Sequence, residues 1–301
     1  MLRYDPRGER ATRDVVSRGI YAEMRGGRTT PNGGVWIAMG HLGPDNVRRQ
    51  FKGMVERCAD CGFDLAGGRV EVVPTAHYMM GGVEFDLQCR TAMPGLYVAG
   101  EDTGGVHGAN RLGGNGVANS TVFGGIAGDE VGAWVQQGGE APPPDRAILA
   151  AEIARCEAPL GRRTGNVHAL RERLQTLMWD DVGIVRTRAT LERAIAALDA
   201  LHEELQGTGV DGGREFNLTW HDWLNLDSLL LASRTIARAA LAREDSRGAH
   251  FREDFPETGD LERSAYTRIA LSDGELRVDF APVEFTRVRP GESLLDPRSA
   301  S

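Results

Sequence analysis

Two hydrophobic periods divide the chain. In its second half Val167, Leu170, Leu174 and Leu177 recur at three- and four-residue intervals, as do Ile195, Leu198, Leu201 and Leu205. That spacing is the apolar stripe of an amphipathic helix. A third helix is predicted from Trp220 to Arg243. Three stripes bury one another most economically as a small antiparallel bundle, expected over residues 143–243. Gly138-Gly139 followed by Pro142-Pro-Pro144 marks its start, because three prolines cannot continue a helix.

The first half alternates between periods. Helices are expected at Asp14 to Met24 and Asp45 to Cys61, with a glycine-rich turn at Gly26-Gly27 and a strand at Val35-Trp-Ile-Ala-Met39 between them. Val70 to Val73 reads as a short β run, and Leu96-Tyr-Val-Ala99 as a buried strand ending at Gly100-Glu101. Asn115 to Val135 has the small-residue spacing of a helix packed tightly on a sheet. After Gly248 the pattern alternates again, as in Leu276-Arg-Val-Asp-Phe280.

Composition narrows the class of function. A chain of 301 residues, 41% hydrophobic and 26% charged, can bury a core in two or three domains. The net charge of -8, with no basic face to offset it, argues against a nucleic-acid partner. No apolar run reaches the length that spans a bilayer, and the first residues lack a signal-peptide core, so the cytoplasm is the expected compartment. Four cysteines do not make a disulfide scaffold. Cys58-Ala-Asp-Cys61 can be read as a redox or metal pair or as two thiols on an amphipathic helix; Cys89 and Cys156 stand too far off to complete a zinc site, so no metal is assigned.

The candidate chemistry sits in glycine-rich segments. Val73-Pro-Thr-Ala-His77-Tyr-Met-Met-Gly-Gly82, Gly95-Leu-Tyr-Val-Ala-Gly-Glu101 and His107-Gly-Ala-Asn-Arg-Leu-Gly-Gly-Asn115 set a histidine, a glutamate and Arg111 in backbone that can approach a ligand closely. His and Arg are cationic donors suited to carboxylates. At these segments, at Thr12-Arg13-Asp14-Val-Val-Ser-Arg18, and at Ser246-Arg-Gly-Ala-His250 with Asp254-Phe-Pro256, the chain resembles the flavoprotein subunit of succinate dehydrogenase and fumarate reductase, with L-aspartate oxidase as a near relative.

The resemblance implies an α+β multidomain fold. Residues 1–68 correspond to the rear part of a substrate-capping domain, 69–138 to the returning half of a Rossmann-like FAD-binding domain, 143–243 to the helical bundle, and 244–301 to a C-terminal tail with a small β element. That family binds FAD through an N-terminal βαβ unit whose glycine fingerprint cradles the pyrophosphate. No G-x-G-x-x-G follows a strand here, and Met1-Leu-Arg-Tyr-Asp-Pro6 resembles the middle of the capping domain. The expectation is therefore the C-terminal portion of a larger flavoenzyme, one that binds FAD weakly alone and is completed by an upstream N-terminal flavoprotein chain.

Roles follow residue by residue from the same resemblance. Arg13 stands at the position of the proton-delivering arginine; read without the motif it is a surface cation at a helix end. His77 and Arg111 match the binders of the substrate carboxylates, and Glu101 the glutamate that bonds the ribityl hydroxyls of FAD. Gly116 and Val117 match the backbone N–H donors near flavin N1 and O2. The family commonly has Ser-Leu-Leu where this chain has Gly116-Val117-Ala118, and the loop after Glu101 is one residue shorter than in typical relatives. The activity implied is interconversion of a dicarboxylate such as succinate and fumarate; quinone through an iron-sulfur subunit, a soluble carrier and oxygen all stand open as electron acceptor, and an iron-sulfur subunit is the partner that would give peripheral attachment at the inner membrane. L-aspartate oxidase-like oxidation and a non-catalytic remnant are the alternatives.

Overall fold

In a computed structural model the described residues are 1–140 and 142–292. They divide into two compact units, Met1–Tyr78 and Met79–Ser301.

In the first unit α1 (Arg13–Arg25) ends at a glycine turn where Gly27 takes a φ of 70°. β1 (Val35–Ala38) and β2 (Arg69–Val72) pair antiparallel, Val35 opposite Val72 and Ala38 opposite Arg69. Between them lie α2 (Pro44–Gln50) and α3 (Lys52–Asp60). The single helix expected from Asp45 to Cys61 is thus two, broken where Phe51 leaves the helical well at φ -121°, ψ 33°. Gly53 weakens helix propensity at that point. Val47, Leu65, Ala66 and Val70 form a small core, packed by Met39, Val55, Cys58, Phe63 and Val72. Cys58 lies on α3 and Cys61 caps it, both as free thiols.

The second unit contains α4 (Asn115–Gln136), α5 (Arg146–Glu157), α6 (Val167–Asp181), α7 (Arg188–Gly207), α8 (Leu218–Ala242) and the hairpin β3 (Ala265–Ser272) with β4 (Glu275–Pro282). The three expected stripes do form one core: Leu170, Leu174, Leu191, Leu198, Leu205, Trp223, Leu226 and Leu230 are all buried in it. Trp223 donates from its indole to the carbonyls of Leu205 (3.2 Å) and Thr208 (3.0 Å), so its polar edge is satisfied inside the core. The α7 N-terminus carries a capping box in which Thr187 and Thr190 bond reciprocally. Asp273 and Gly274 both have positive φ (53° and 80°), the type I′ turn that suits a two-residue hairpin.

Two elements depart from the sequence pattern. Leu96-Tyr-Val-Ala99 pairs only through an isolated bridge, Arg90 opposite Tyr97, rather than as a buried strand. A strand needs paired neighbours on its edges, and these residues have only residues 89–91. α5 escapes the periodicity because none of its residues is buried; it is recognisable only from Asp145, whose side chain caps the N–H groups of Ala147 and Ile148.

Candidate functional site

The glycine-rich segments of the second unit come together around a buried asparagine. Val83 N–H donates to the carbonyl of Asp102 (2.7 Å) and Gly104 N–H to that of Val83 (3.0 Å). This pairing brings the two backbones so close that a Cβ on Gly82 would lie 2.2 Å from the Asp102 oxygen. Only glycine fits there. Thr103 is buried and its hydroxyl donates to the Gly100 carbonyl at 2.7 Å. The same carbonyl accepts from Asn119 Nδ2 at 2.9 Å. Asn119 Nδ2 also lies 3.3 Å from His107 Nε2. Burial, helped by the charge of Arg111, lowers the His107 pKa, so the ring is neutral and Nε2 can accept.

Asn119 therefore pins the start of α4 to two loops, one carrying Glu101 and the other Arg111. Glu101 is exposed and one carboxylate oxygen accepts the Met79 N–H at 2.9 Å. Arg111 is half-buried; its N–H donates to Met80 Sδ at 3.1 Å and its Nη1 to the Leu112 carbonyl at 3.2 Å. α4 begins at Gly114, φ 84°, with no side chain capping it. Gly116 and Val117 occupy its first turn, where backbone N–H groups have no intrahelical acceptor.

A second loop braces the first. Ala249 N–H donates to the Ala109 carbonyl at 3.0 Å, and a Cβ on Gly248, whose φ is 58°, would sit 2.2 Å from that oxygen. The bracing loop is itself fixed. Arg247 and His250 exchange backbone bonds (2.8 and 3.1 Å), and Ser246 N–H reaches the Glu257 carbonyl at 2.8 Å. Behind it Arg252 is fully buried, forked onto Asp254 at 2.8 Å by two donors and bonded through Nη1 to the carbonyls of Ala240 (3.1 Å), Leu241 (3.0 Å) and Arg243 (3.2 Å), the end of α8. His250 Nδ1 lies 2.8 Å from Arg186 Nη1. Burial pushes the His250 pKa down to about 4, and Arg186 adds to the shift.

In the first unit Arg13 is exposed at the first position of α1, and Asp14 pairs with Arg18 at 3.1 Å. His77 is exposed in the irregular segment after β2. Glu101, Arg111, Gly116 and Val117 are thus gathered in one place, while Arg13 and His77 sit on separate elements of the other unit. His107, Thr103, Asn119 and Gly248 were not singled out by sequence. For Asn119 a signal exists: an amide on the inward side of a helix rich in small residues must find buried partners. Two clefts of the second unit, about 730 Å³ beside α6 and about 400 Å³ beside residues 90–97, contain none of these residues. Gly207-Thr-Gly-Val-Asp-Gly212 spells a dinucleotide fingerprint but follows α7, and its Val210 is buried in the bundle core.

The donor set fits a flavin. Gly81, Gly108, Gly113 and Gly114 face open space, in which an added Cβ would meet nothing within 4 Å. Uncapped first-turn N–H groups suit a carbonyl or anionic edge, and the exposed Glu101 carboxylate suits hydroxyl donors.

Comparisons with known proteins agree. Residues 1–117 match the model of an FAD binding domain, and residues 171–295 that of the fumarate reductase flavoprotein C-terminus. A fumarate reductase (CoM/CoB) chain of Methanothermobacter marburgensis is 42% identical over 260 residues, 86% of this chain and 47% of that protein. L-aspartate oxidase of Synechocystis is 33% identical over 275 residues, covering 85% and 48%. A variant of E. coli quinol fumarate reductase superposes with a TM-score of 0.79 at 31% identity, over 93% of this chain and 50% of that one. The chain spans about half the length of the curated relatives it matches. With the flavin-binding model at one end and the flavoprotein C-terminal model at the other, the chain belongs to the fumarate reductase and succinate dehydrogenase flavoprotein family, whose cofactor is FAD.

Proposed function

We propose that this chain forms the substrate-facing part of an FAD-dependent oxidoreductase that interconverts a dicarboxylate such as succinate and fumarate. The observation that carries the reading is the cluster around Asn119, which holds Glu101, Arg111 and the first turn of α4 together. Domain roles follow. Residues 1–68 cap the substrate, 69–138 hold the flavin, 143–243 form the supporting bundle, and 244–301 are the tail.

FAD supplies a two-electron donor and acceptor that exchanges hydride with the substrate carbon. The chain's own residues do the rest. Glu101 would accept from ribityl hydroxyls, and the Gly116 and Val117 N–H groups would donate to the flavin where negative charge develops. Arg111 clamps one substrate carboxylate through its planar fork, and His77 donates to a carboxylate when protonated. Arg13 moves the proton at the carbon next to the one that exchanges hydride. An arginine is a poor acid in water, so this task requires a partner that stabilises its neutral form. The L-aspartate oxidase relative supports a second reading, oxidation of an amino dicarboxylate at the same clamps.

The proposed partner is an iron-sulfur subunit through which the protein is held peripherally at the inner membrane, cytoplasmic side. Quinol in the name of the E. coli neighbour supports that route. Among the described residues no helix is long and apolar enough to cross a membrane. The test is the visible spectrum of the chain, alone and mixed with the N-terminal half of a full-length relative. Flavin that binds in the mixture, is bleached by reductant and is reoxidised by fumarate supports the reading. Arg13→Ala should then slow turnover at least about 100-fold while flavin stays bound. Equal turnover in Arg13→Ala removes Arg13 from the chemistry, and no flavin in either sample overturns the assignment.

A further inference from the structure

The methionine pair Met79-Met80 reaches both site loops, through different atoms. Met79 donates its backbone N–H to a Glu101 carboxylate oxygen at 2.9 Å, and the Met80 thioether accepts the Arg111 N–H at 3.1 Å. Three residues on, Val83 is paired in both directions, its N–H to the Asp102 carbonyl (2.7 Å) and its carbonyl to the Gly104 N–H (3.0 Å). Residues 79–83 are thus held at both ends, and the Met80 sulfur extends from them to the Arg111 loop.

Sulfur is a weak acceptor for a backbone amide. Unlike the carbonyls and the carboxylate in the contacts around it, a thioether can be oxidised. It carries two lone pairs; one faces the Arg111 N–H and the other is left to a reagent. Met80 is half-buried, and an added Cβ at Gly81 beside it would meet nothing within 4 Å, so the neighbouring backbone is open to a small molecule.

We propose that Met80 is an oxidation site whose conversion to the sulfoxide by a peroxide releases the Arg111 loop. With hydrogen peroxide the sulfur attacks one oxygen: the S–O bond forms as the O–O bond breaks, sulfur gives up two electrons, and the other oxygen leaves as hydroxide that takes the remaining proton and becomes water. The product is bulkier, polar and pyramidal, and its oxygen stands a bond length off the sulfur. The Arg111 N–H cannot keep its 3.1 Å approach to such a group, and the backbone of residues 79–83, held at both ends, cannot retreat. The Arg111 loop moves instead, because Gly108, Gly113 and Gly114 on either side of it have open space around them. That the moving residue clamps a substrate carboxylate rests on the dicarboxylate reading above; the sulfur latch itself does not. Met79 (50% exposed), Met54 (53%) and Met93 (64%) lie more in solvent and serve as reference sites for the reagent.

The test treats the full chain with hydrogen peroxide, reads oxidation methionine by methionine in peptide mass spectra, and follows amide exchange over residues 107–114. A Met79→Leu background keeps the two adjacent sulfurs from being confused and leaves the backbone bond to Glu101 in place. Oxidation of Met80 should accelerate exchange of the Arg111 amide about tenfold. Methionine sulfoxide reductase should then restore the original rate. Met80→Leu keeps the volume but offers no acceptor, so it should show the faster rate from the outset and no response to peroxide. Four results overturn the proposal: Met80 still reduced when Met54 and Met93 are fully oxidised, an oxidised Met80 with Arg111 exchange unchanged, Met80→Leu exchanging as slowly as its parent, or a peroxide response that persists in Met80→Leu. Neither flavin binding nor turnover enters these measurements, so a failed latch leaves the flavoenzyme reading untouched and a failed flavoenzyme reading leaves the latch standing.

Discussion

The helical bundle and the segment that leads into it treat apolar residues in opposite ways. In α6, α7 and α8 the stripes face one another and Leu191, Leu198, Leu205 and Trp223 have no measurable exposure. In residues 79–140 the apolar side chains of Leu87, Met93, Leu112 and Val117 are between 64% and 79% exposed. Burial of apolar surface is the main favourable term in folding, at about 25 cal/mol per Å². The bundle therefore stands on its own contacts, whereas the glycine-rich segment is held by hydrogen bonds and close backbone pairing such as Gly82 against Asp102.

The largest effect that could break this contrast is a cavity. Trp223→Ala removes a fully buried indole and takes its donor from the Thr208 carbonyl, while the Leu205 carbonyl keeps the Thr208 N–H. The expected loss is about 3–5 kcal/mol by chemical denaturation. Val131→Ala, on the exposed side of α4, should change the same transition by no more than about 0.5 kcal/mol. Similar losses at both positions would mean that α4 is packed in solution as tightly as the bundle.

Next in size is an acid-sensitive lock behind the site. Folded His250 does not take up a proton until pH falls to about 4, against an ordinary value of 6.5. Between those values the unfolded chain holds the extra proton, so stability falls as pH drops from 6.5 to about 4 and this contribution is gone below it. The loss is up to about 3 kcal/mol. Asp254, hydrogen-bonded by Arg252 and held at about 2 instead of 3.8, extends the decline at lower pH in the same direction. Denaturation midpoints measured across this range should flatten above pH 4 in His250→Gln, which keeps an acceptor for Arg186 but does not titrate. An unchanged slope would place the sensitivity elsewhere.

How much of this was legible in the sequence follows from the same contrast. The bundle could be read because helix periodicity and burial coincide: Val167 through Leu177 and Ile195 through Leu205 are stripes whose partners lie on neighbouring helices of similar pattern. The turn after α1 and the β3–β4 hairpin were legible through glycine and through alternation. The break at Phe51 was not, since a single residue leaving the helical well gives no change of period. Leu96 to Ala99 reads as a strand on propensity alone, but strand formation depends on an edge partner that the sequence does not name. In the site, glycine spacing marked the loops around Glu101 and Arg111. Their organiser, Asn119, has no motif of its own and is marked only by its place on the inward side of a helix rich in small residues.

The smallest effect is also the one most hidden in the sequence, the contact between Gly248 and Ala109. These residues are far apart along the chain, and neither carries chemistry. Yet the Ala249 N–H bond at 3.0 Å ties the loop before Arg111 to a loop anchored through Ser246, Arg247 and Arg252 to the end of α8. The bundle's rigidity thereby reaches a segment that lacks a core of its own. Gly248→Ala asks an L-residue to hold φ 58° and places a methyl 2.2 Å from the Ala109 oxygen, so the two loops must separate. The cost to global stability is about 1–2 kcal/mol. The telling measurement is amide exchange, which should accelerate at Ala249 and across residues 107–111 while α6 to α8 remain as protected as before. Uniform acceleration through the bundle would make Gly248 a residue of the global fold. Unchanged exchange at residues 107–111 would mean that the Arg111 loop is held without the brace, by the contacts of Asn119 within its own segment.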